Sequence, residues 1–175
     1  MTSNSAQVVK QKHVWTPVEI GLVLFFSVMV IGMFVPRVTS AEEKDNEQTT
    51  KTSMHIAQVA LESYAADHNN TYPAEIDDAL KSYYPGGEAD GKTPASQGPL
   101  NPYSKKPEFP VTVGHISTPT VVRSLPPEST GAAAGQIVYL PLDNRRSYAL
   151  LGTNGSGKAI VGDVPATTLV LSNIW

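Results

Sequence analysis

An α+β fold is what this sequence predicts: a long N-terminal helix, membrane half first and amphipathic half second, packed on a small antiparallel β-sheet headgroup. Three observations lead there. The run from Ile20 to Val35 carries no charge. A helical periodicity takes over from about residue 48. The C-terminal half then breaks into short β-branched stretches punctuated by glycine, proline and asparagine.

Residues 1–14 read as a short basic leader holding Lys10 and Lys12. Residues 15–36 read as a transmembrane and assembly helix. Its sixteen uncharged residues, Ile20 to Val35, extended to about twenty by starting at Thr16, can span roughly 30 Å of hydrocarbon. Arg37 and the acidic stretch Glu42, Glu43, Asp45 and Glu47 follow. The basic residues near the two ends favour a cytoplasmic N-terminus by a small margin. Residues 37–175 are then an extracytoplasmic headgroup.

One carboxylate, Glu19, sits at the head of the apolar run. Three readings compete for it. In an ordinary single-pass anchor it lies at the headgroup boundary. In a cleaved secretory signal the cut follows the small residues Thr39-Ser40-Ala41. In the third, the chain is cut just before Trp15, which creates a new α-amino group that is mostly protonated near neutral pH. Subunits packed with an axial stagger then pair one chain's Glu19 with another's ammonium, because a carboxylate in lipid is expensive unless paired.

From Gln48 the stretch TTKTSMHIAQVALESYAADHNNTYP places Met54, Ala57, Leu61 and Tyr64 or Ala65 on one helical face. Asn69-Asn70-Thr71 ends that helix and Tyr72-Pro73 turns the chain. The membrane helix and this one are expected to form a single rod bent at Pro36, where proline removes a backbone hydrogen bond. Residues 74–85 suggest a short second helix with Ile76, Leu80 and Tyr83 or Tyr84 inward, and residues 86–110 a loop. Strands are expected at Pro110–His115, Pro119–Ser124, Gln136–Pro141, Ser147–Gly152, Ala159–Gly162 and Thr167–Ser172.

The stretch WTPVEIGLVLFFSVMVIGMFVP resembles the N-terminal helix of type IV pilins and type II secretion pseudopilins. Trp15, Thr16, Glu19 and Pro36 fall at that family's spacing, and Lys10 and Lys12 suit its leader. Two positions depart from it: Val14 stands where the family has the glycine before the cut, and Pro17 replaces an apolar residue. The headgroup adds to the resemblance. Tyr64, Asp67, Asn69 or Asn70, Tyr72 and Pro73 are similar to a "YxxDxGxYP" phrase of pseudopilins and Gram-positive-type pilins. LNPYSKKP (100–107) looks like their "NPY" loop, and GQIVYLPLDNRRSYALLGTNGSGK like their closing hairpin.

The resemblance implies a structural subunit, not an enzyme. It implies assembly positions at Trp15, Thr16, Glu19 and Pro36, and a processing site at Val14 and Trp15 cut by a prepilin peptidase. Its partners would be further copies in a helical filament, other pilin-like subunits, the inner-membrane assembly machinery and the membrane itself. Cofactors are not implied.

Composition narrows the remaining chemistry. The chain has no cysteine, so neither a disulfide framework nor a thiolate metal site is available. The formal charge of −3 gives no electrostatic footprint for specific nucleic-acid binding, and Lys105 with Lys106 is too small a basic patch. GTNGSGKA (152–159) satisfies the glycine and lysine positions of a P-loop, yet Ala159 replaces the hydroxyl residue and a strand is expected where a helix must open. A glycine-rich hairpin turn is expected there. Asn154, Ser156 and Asp163 offer too few carboxylates for calcium. His55, His68 and His115 lack ligand spacing, and Asp77 and Asp78 suit the start of a short helix.

Overall fold

The computed structural model describes residues 16–112, 119–124, 131–162 and 167–173, apart from the side chains of 31–39 and 119–120. The fold is mixed helix and sheet. Two compact units, Met1–Ser40 and Ala41–Trp175, divide the chain. Helix α1, Pro17–Asp67, begins in the first and ends in the second. Its helical backbone continues through Pro36, where the bend was expected, and the Pro36 side chain lies outside the described residues. Among those described, no helix is long and apolar enough to cross a membrane.

In the second unit, α1 buries the face its periodicity predicts: Met54, Ala57, Ala60, Leu61 and Ala65 are all at most 2% exposed. Two of these five are large and three are alanines, so the helix backbone can come close to whatever it covers. What it covers is a three-stranded sheet, ordered β3-β4-β5, of Val111–Thr112, Ile137–Leu142 and Ser147–Gly152. Strands β4 and β5 are buried on both faces and pair antiparallel, from Ile137 opposite Gly152 to Leu142 opposite Ser147. Period-two alternation sorts their side chains. Ile137, Tyr139, Tyr148 and Leu150 join the cluster under α1, while Val138, Leu140, Leu142, Ala149 and Leu151 form a second cluster on the far face.

Several predicted elements come out differently. The sheet is mixed, because β3 runs parallel to β4. A parallel pair needs a crossover, usually helical, and α3 (Pro119–Ser124) lies in that connection. The strand expected over those residues is therefore a helix. Proline is well suited to its first position, and Val122 is fully buried in the far-face cluster, so tertiary burial overrides β-branched propensity. The segments expected as strands at 159–162 and 167–172 contribute only isolated antiparallel bridges, Thr153 with Ala159, Val161 with Thr168 and Leu150 with Leu171. Of Pro110–His115, only Val111–Thr112 is described as strand, and His115 lies outside the described residues. The second helix, α2, contracts to Asp78–Lys81. The loop expected over 86–110 contains a small antiparallel pair, β1 (Leu100–Asn101) and β2 (Lys106–Pro107).

The β4–β5 connection is a left-handed turn: Asp143, Asn144 and Arg145 have φ of 47°, 50° and 68°. Aspartate and asparagine tolerate that region, whereas Arg145 is strained in it. Its carbonyl accepts the Tyr72 N–H at 2.8 Å, tying the turn to the chain leaving α1.

Candidate functional site: the head of the long helix and its carboxylate anchors

Of the predicted assembly and processing positions, Thr16 and Glu19 are described, Pro36 contributes backbone only, and Val14 and Trp15 lie outside the described residues. Thr16 and Glu19 form one hydrogen-bonded unit. The Thr16 N–H and Oγ1–H both donate to Glu19 Oε2, at 2.8 and 3.0 Å. The Glu19 N–H donates back to Thr16 Oγ1 at 3.3 Å, and Ile20 N–H donates to the Thr16 carbonyl at 3.1 Å. This is a capping box, in which residue and cap satisfy each other's orphan donors. Pro17 occupies the first helical position, where its missing N–H costs nothing. The sequence carried this signal: Thr16-Pro17-Val18-Glu19 reads Thr-x-x-Glu before an apolar run. Glu19 thus has a local role as well as any role between chains.

Beyond Glu19 the described apolar residues are open on every side. The large ones from Ile20 to Val30 are between 48% and 70% exposed. Five successive residues, Leu22 to Phe26, turn more than a full circle of the helix, so this is no one-sided stripe. The single hydroxyl among them, Ser27 Oγ, donates to the Val23 carbonyl at 2.8 Å and so needs no outside partner.

Farther along α1, two acidic residues anchor the headgroup. Glu43 accepts the Tyr103 hydroxyl at 2.9 Å and the Gly155 N–H at 3.0 Å. Glu62 accepts two hydroxyls, Tyr72 at 2.8 Å and Tyr148 at 2.7 Å, one on each carboxylate oxygen. Burial first, and then the bond to Glu62, push both of these phenols well above their ordinary range. Tyr103 rises likewise, through burial and then Glu43. Sequence reasoning missed both acids as anchors, since their partners are 86 residues away for Tyr148 and 112 for Gly155.

The phrase that closes α1 has a structural role at each position. The Tyr64 ring stacks on His68 at 3.8 Å between centroids, and Asp67 accepts the Tyr83 hydroxyl at 2.9 Å. Asn69 and Asn70 take φ of 55° and 56°, which reverses the chain where glycine would otherwise be wanted. The Pro73 carbonyl accepts the buried Tyr139 hydroxyl at 2.6 Å. Asn101 Oδ1 accepts the N–H groups of Tyr103 and Ser104, at 2.9 and 3.2 Å, and so shapes the turn that aims Tyr103 at Glu43. Asp77 caps α2 through the Leu80 N–H at 2.8 Å, and Asp78 pairs with Lys81 at 2.8 Å, the helix-end roles expected of them.

The glycine-rich turn is a hairpin connection. Asn154 Oδ1 accepts the Ser156 and Lys158 N–H groups at 3.0 and 3.1 Å, while Gly155 donates to Glu43. Amides that a phosphate-binding loop would direct at its ligand are engaged by side chains here, and a bridge residue, Ala159, follows in place of a helix. Among the described residues no group of His, Cys, Asp or Glu is arranged to hold a metal ion. His55 contacts Gln58 at 3.3 Å and His68 the Tyr64 carbonyl at 2.7 Å, each within α1 or just past it.

No family model, no curated protein and no solved structure matches this chain.

Proposed function

We propose that this chain is a structural, non-catalytic subunit of a type IV pilus-like or type II secretion pseudopilus-like filament, assembling through its N-terminal helix. The observation that carries the reading is the stretch of α1 from Ile20 to Val30, which has no charged residue and whose large apolar side chains are open on every side. A surface of that kind needs hydrocarbon or other apolar helices around it. The proposal supplies both: the membrane before assembly and neighbouring copies afterwards, with the headgroup outside the cytoplasm. The order of residues that resembles the pilin family lends further support, since Tyr72, Tyr103 and Tyr148 from its three headgroup phrases all bind acids on α1. In this reading a prepilin peptidase and the inner-membrane assembly machinery act on the chain, and other pilin-like subunits share the filament.

A second reading is favoured by one observation of the structure and one of the sequence. The capping box gives Glu19 a purpose inside its own chain, and Val14 replaces the glycine of the processing site. An unprocessed single-pass protein whose outer domain binds a partner would use Glu19 for capping alone.

Glu19→Gln separates the two. Glutamine also serves in a capping box, so the helix start survives while the charge is lost. In the filament reading, removing one partner of a desolvated pair strands the other at about 3–5 kcal/mol. The ratio of filament-associated to membrane-resident protein then falls sharply while total membrane protein stays level. An unchanged ratio, or an N-terminus still at Met1 within filaments, overturns pairing between Glu19 and a neighbour's Trp15 amine.

A further inference from the structure

Two Asn-x-Ser/Thr triplets occur in the headgroup, Asn69-Asn70-Thr71 and Asn154-Gly155-Ser156. That triplet is the acceptor pattern for N-linked glycosylation: the sugar goes onto the asparagine carboxamide, which must sit on an accessible surface turn. The fold treats the two differently. Asn154 is closed on its own turn, its Oδ1 accepting from Ser156 and Lys158, and the Gly155 N–H between them is held by Glu43. Asn69 is exposed in the turn that ends α1. Among the described residues neither the Asn69 carboxamide nor the Thr71 hydroxyl makes a side-chain hydrogen bond.

The backbone around Asn69 is also lightly held. The triplet's own N–H groups form two bonds, Asn70 to the Ala65 carbonyl at 2.8 Å and Thr71 to His68 at 3.1 Å. Both close the turn that follows the helix end, which opens at lower free energy than the core. Firm anchorage resumes at Tyr72, whose N–H and hydroxyl bind Arg145 and Glu62. Local opening therefore presents Asn69 and Thr71 together in extended form without unfolding the sheet.

We infer that Asn69 is an N-glycan acceptor and that Asn154 is not. The inference rests on the extracytoplasmic placement of the headgroup proposed above. The donor is a lipid-pyrophosphate-linked oligosaccharide. The Asn69 carboxamide nitrogen attacks its anomeric carbon, forming the N–C bond as the C–O bond to pyrophosphate breaks. The lipid pyrophosphate leaves with the electron pair, and the nitrogen gives up one proton to the transferase. Nothing is oxidised or reduced.

The test uses the full chain isolated from its own cells. Trypsin leaves Asn69 within Thr52–Lys81 and Asn154 within Ser147–Lys158. Mass spectrometry is expected to find glycan on the first peptide and none on the second. Asn69→Gln and Thr71→Ala abolish it, whereas Thr71→Ser retains it, with the melting temperature of the deglycosylated Thr71 variants unchanged. Protease added to spheroplasts scores headgroup exposure separately. An exposed headgroup with bare Asn69 overturns the acceptor and leaves the filament reading intact. A protected headgroup overturns both. Glycan that survives Thr71→Ala, or equal occupancy at Asn154, overturns the argument from the triplet and its accessibility.

Discussion

Glu62 sits on the exposed side of α1, yet both its oxygens are taken by phenols whose rings are buried: Tyr72 is 4% exposed and Tyr148 not at all. The two rings lean on each other at 4.7 Å between centroids. A carboxylate suits this position because it accepts twice and donates nothing. Glu62→Gln places an amide NH2 against one hydroxyl, leaving a buried donor without an acceptor. The expected cost is about 1–3 kcal/mol, seen as a lower urea midpoint at unchanged slope. In a Tyr148→Phe background the cost shrinks, since the hydroxyl to be stranded is already gone. Equal costs in the two backgrounds would show that the pair does not act through Glu62. Sequence periodicity places residue 62 on the solvent side and says nothing of these partners, which reach it only through the folded sheet.

At the scale of elements, the contact between α1 and β5 depends on the absence of a side chain at residue 152. A Cβ on Gly152 would lie 2.7 Å from Met54 Sδ and 2.9 Å from Thr50 Cγ2. Methionine can move aside, but β-branched Thr50 is stiff at χ1 and fully buried. Gly152→Ala is expected to destabilise the headgroup by about 1–3 kcal/mol. Thr50→Ser removes the clashing methyl while keeping a hydroxyl able to bond the Asn46 carbonyl, and is expected to recover part of that loss. Denaturant melts of the single and double variants measure both effects; additive losses would sink the steric explanation. Strands β4 and β5 were legible because β-branched and aromatic runs stand on either side of Asp-Asn-Arg. Helix α3 was not, since Val121 and Val122 favour strand locally and only the crossover from β3 to β4 requires a helix there.

For the whole headgroup, tyrosine sets the response to alkali. All seven tyrosines have hydroxyls held above their ordinary range, with burial the leading cause in each. A raised folded-state pKa means that the folded form keeps its protons longer than the unfolded chain does. That stability is fully present below the unfolded tyrosine pKa of about 10 and is lost as pH rises beyond it. The headgroup is therefore expected to hold its stability through the neutral range and to unfold cooperatively in alkali. Tyrosinate absorbance and far-ultraviolet circular dichroism should then change together. Tyrosines that ionise well before the dichroism is lost would contradict this coupling.

By itself the sequence determined local features of this protein: the face α1 buries from Met54 to Ala65, the β4–β5 hairpin and the capping box at Thr16 and Glu19. Each of these follows from side-chain periodicity or from hydrogen bonds between residues a few positions apart. Only the tertiary structure decided the parallel entry of β3, the helix in the crossover, and the bonds from Glu43 and Glu62 to Gly155 and Tyr148. These depend on which distant segments meet, and that choice is made by the burial of both sheet faces, which no short window of sequence contains.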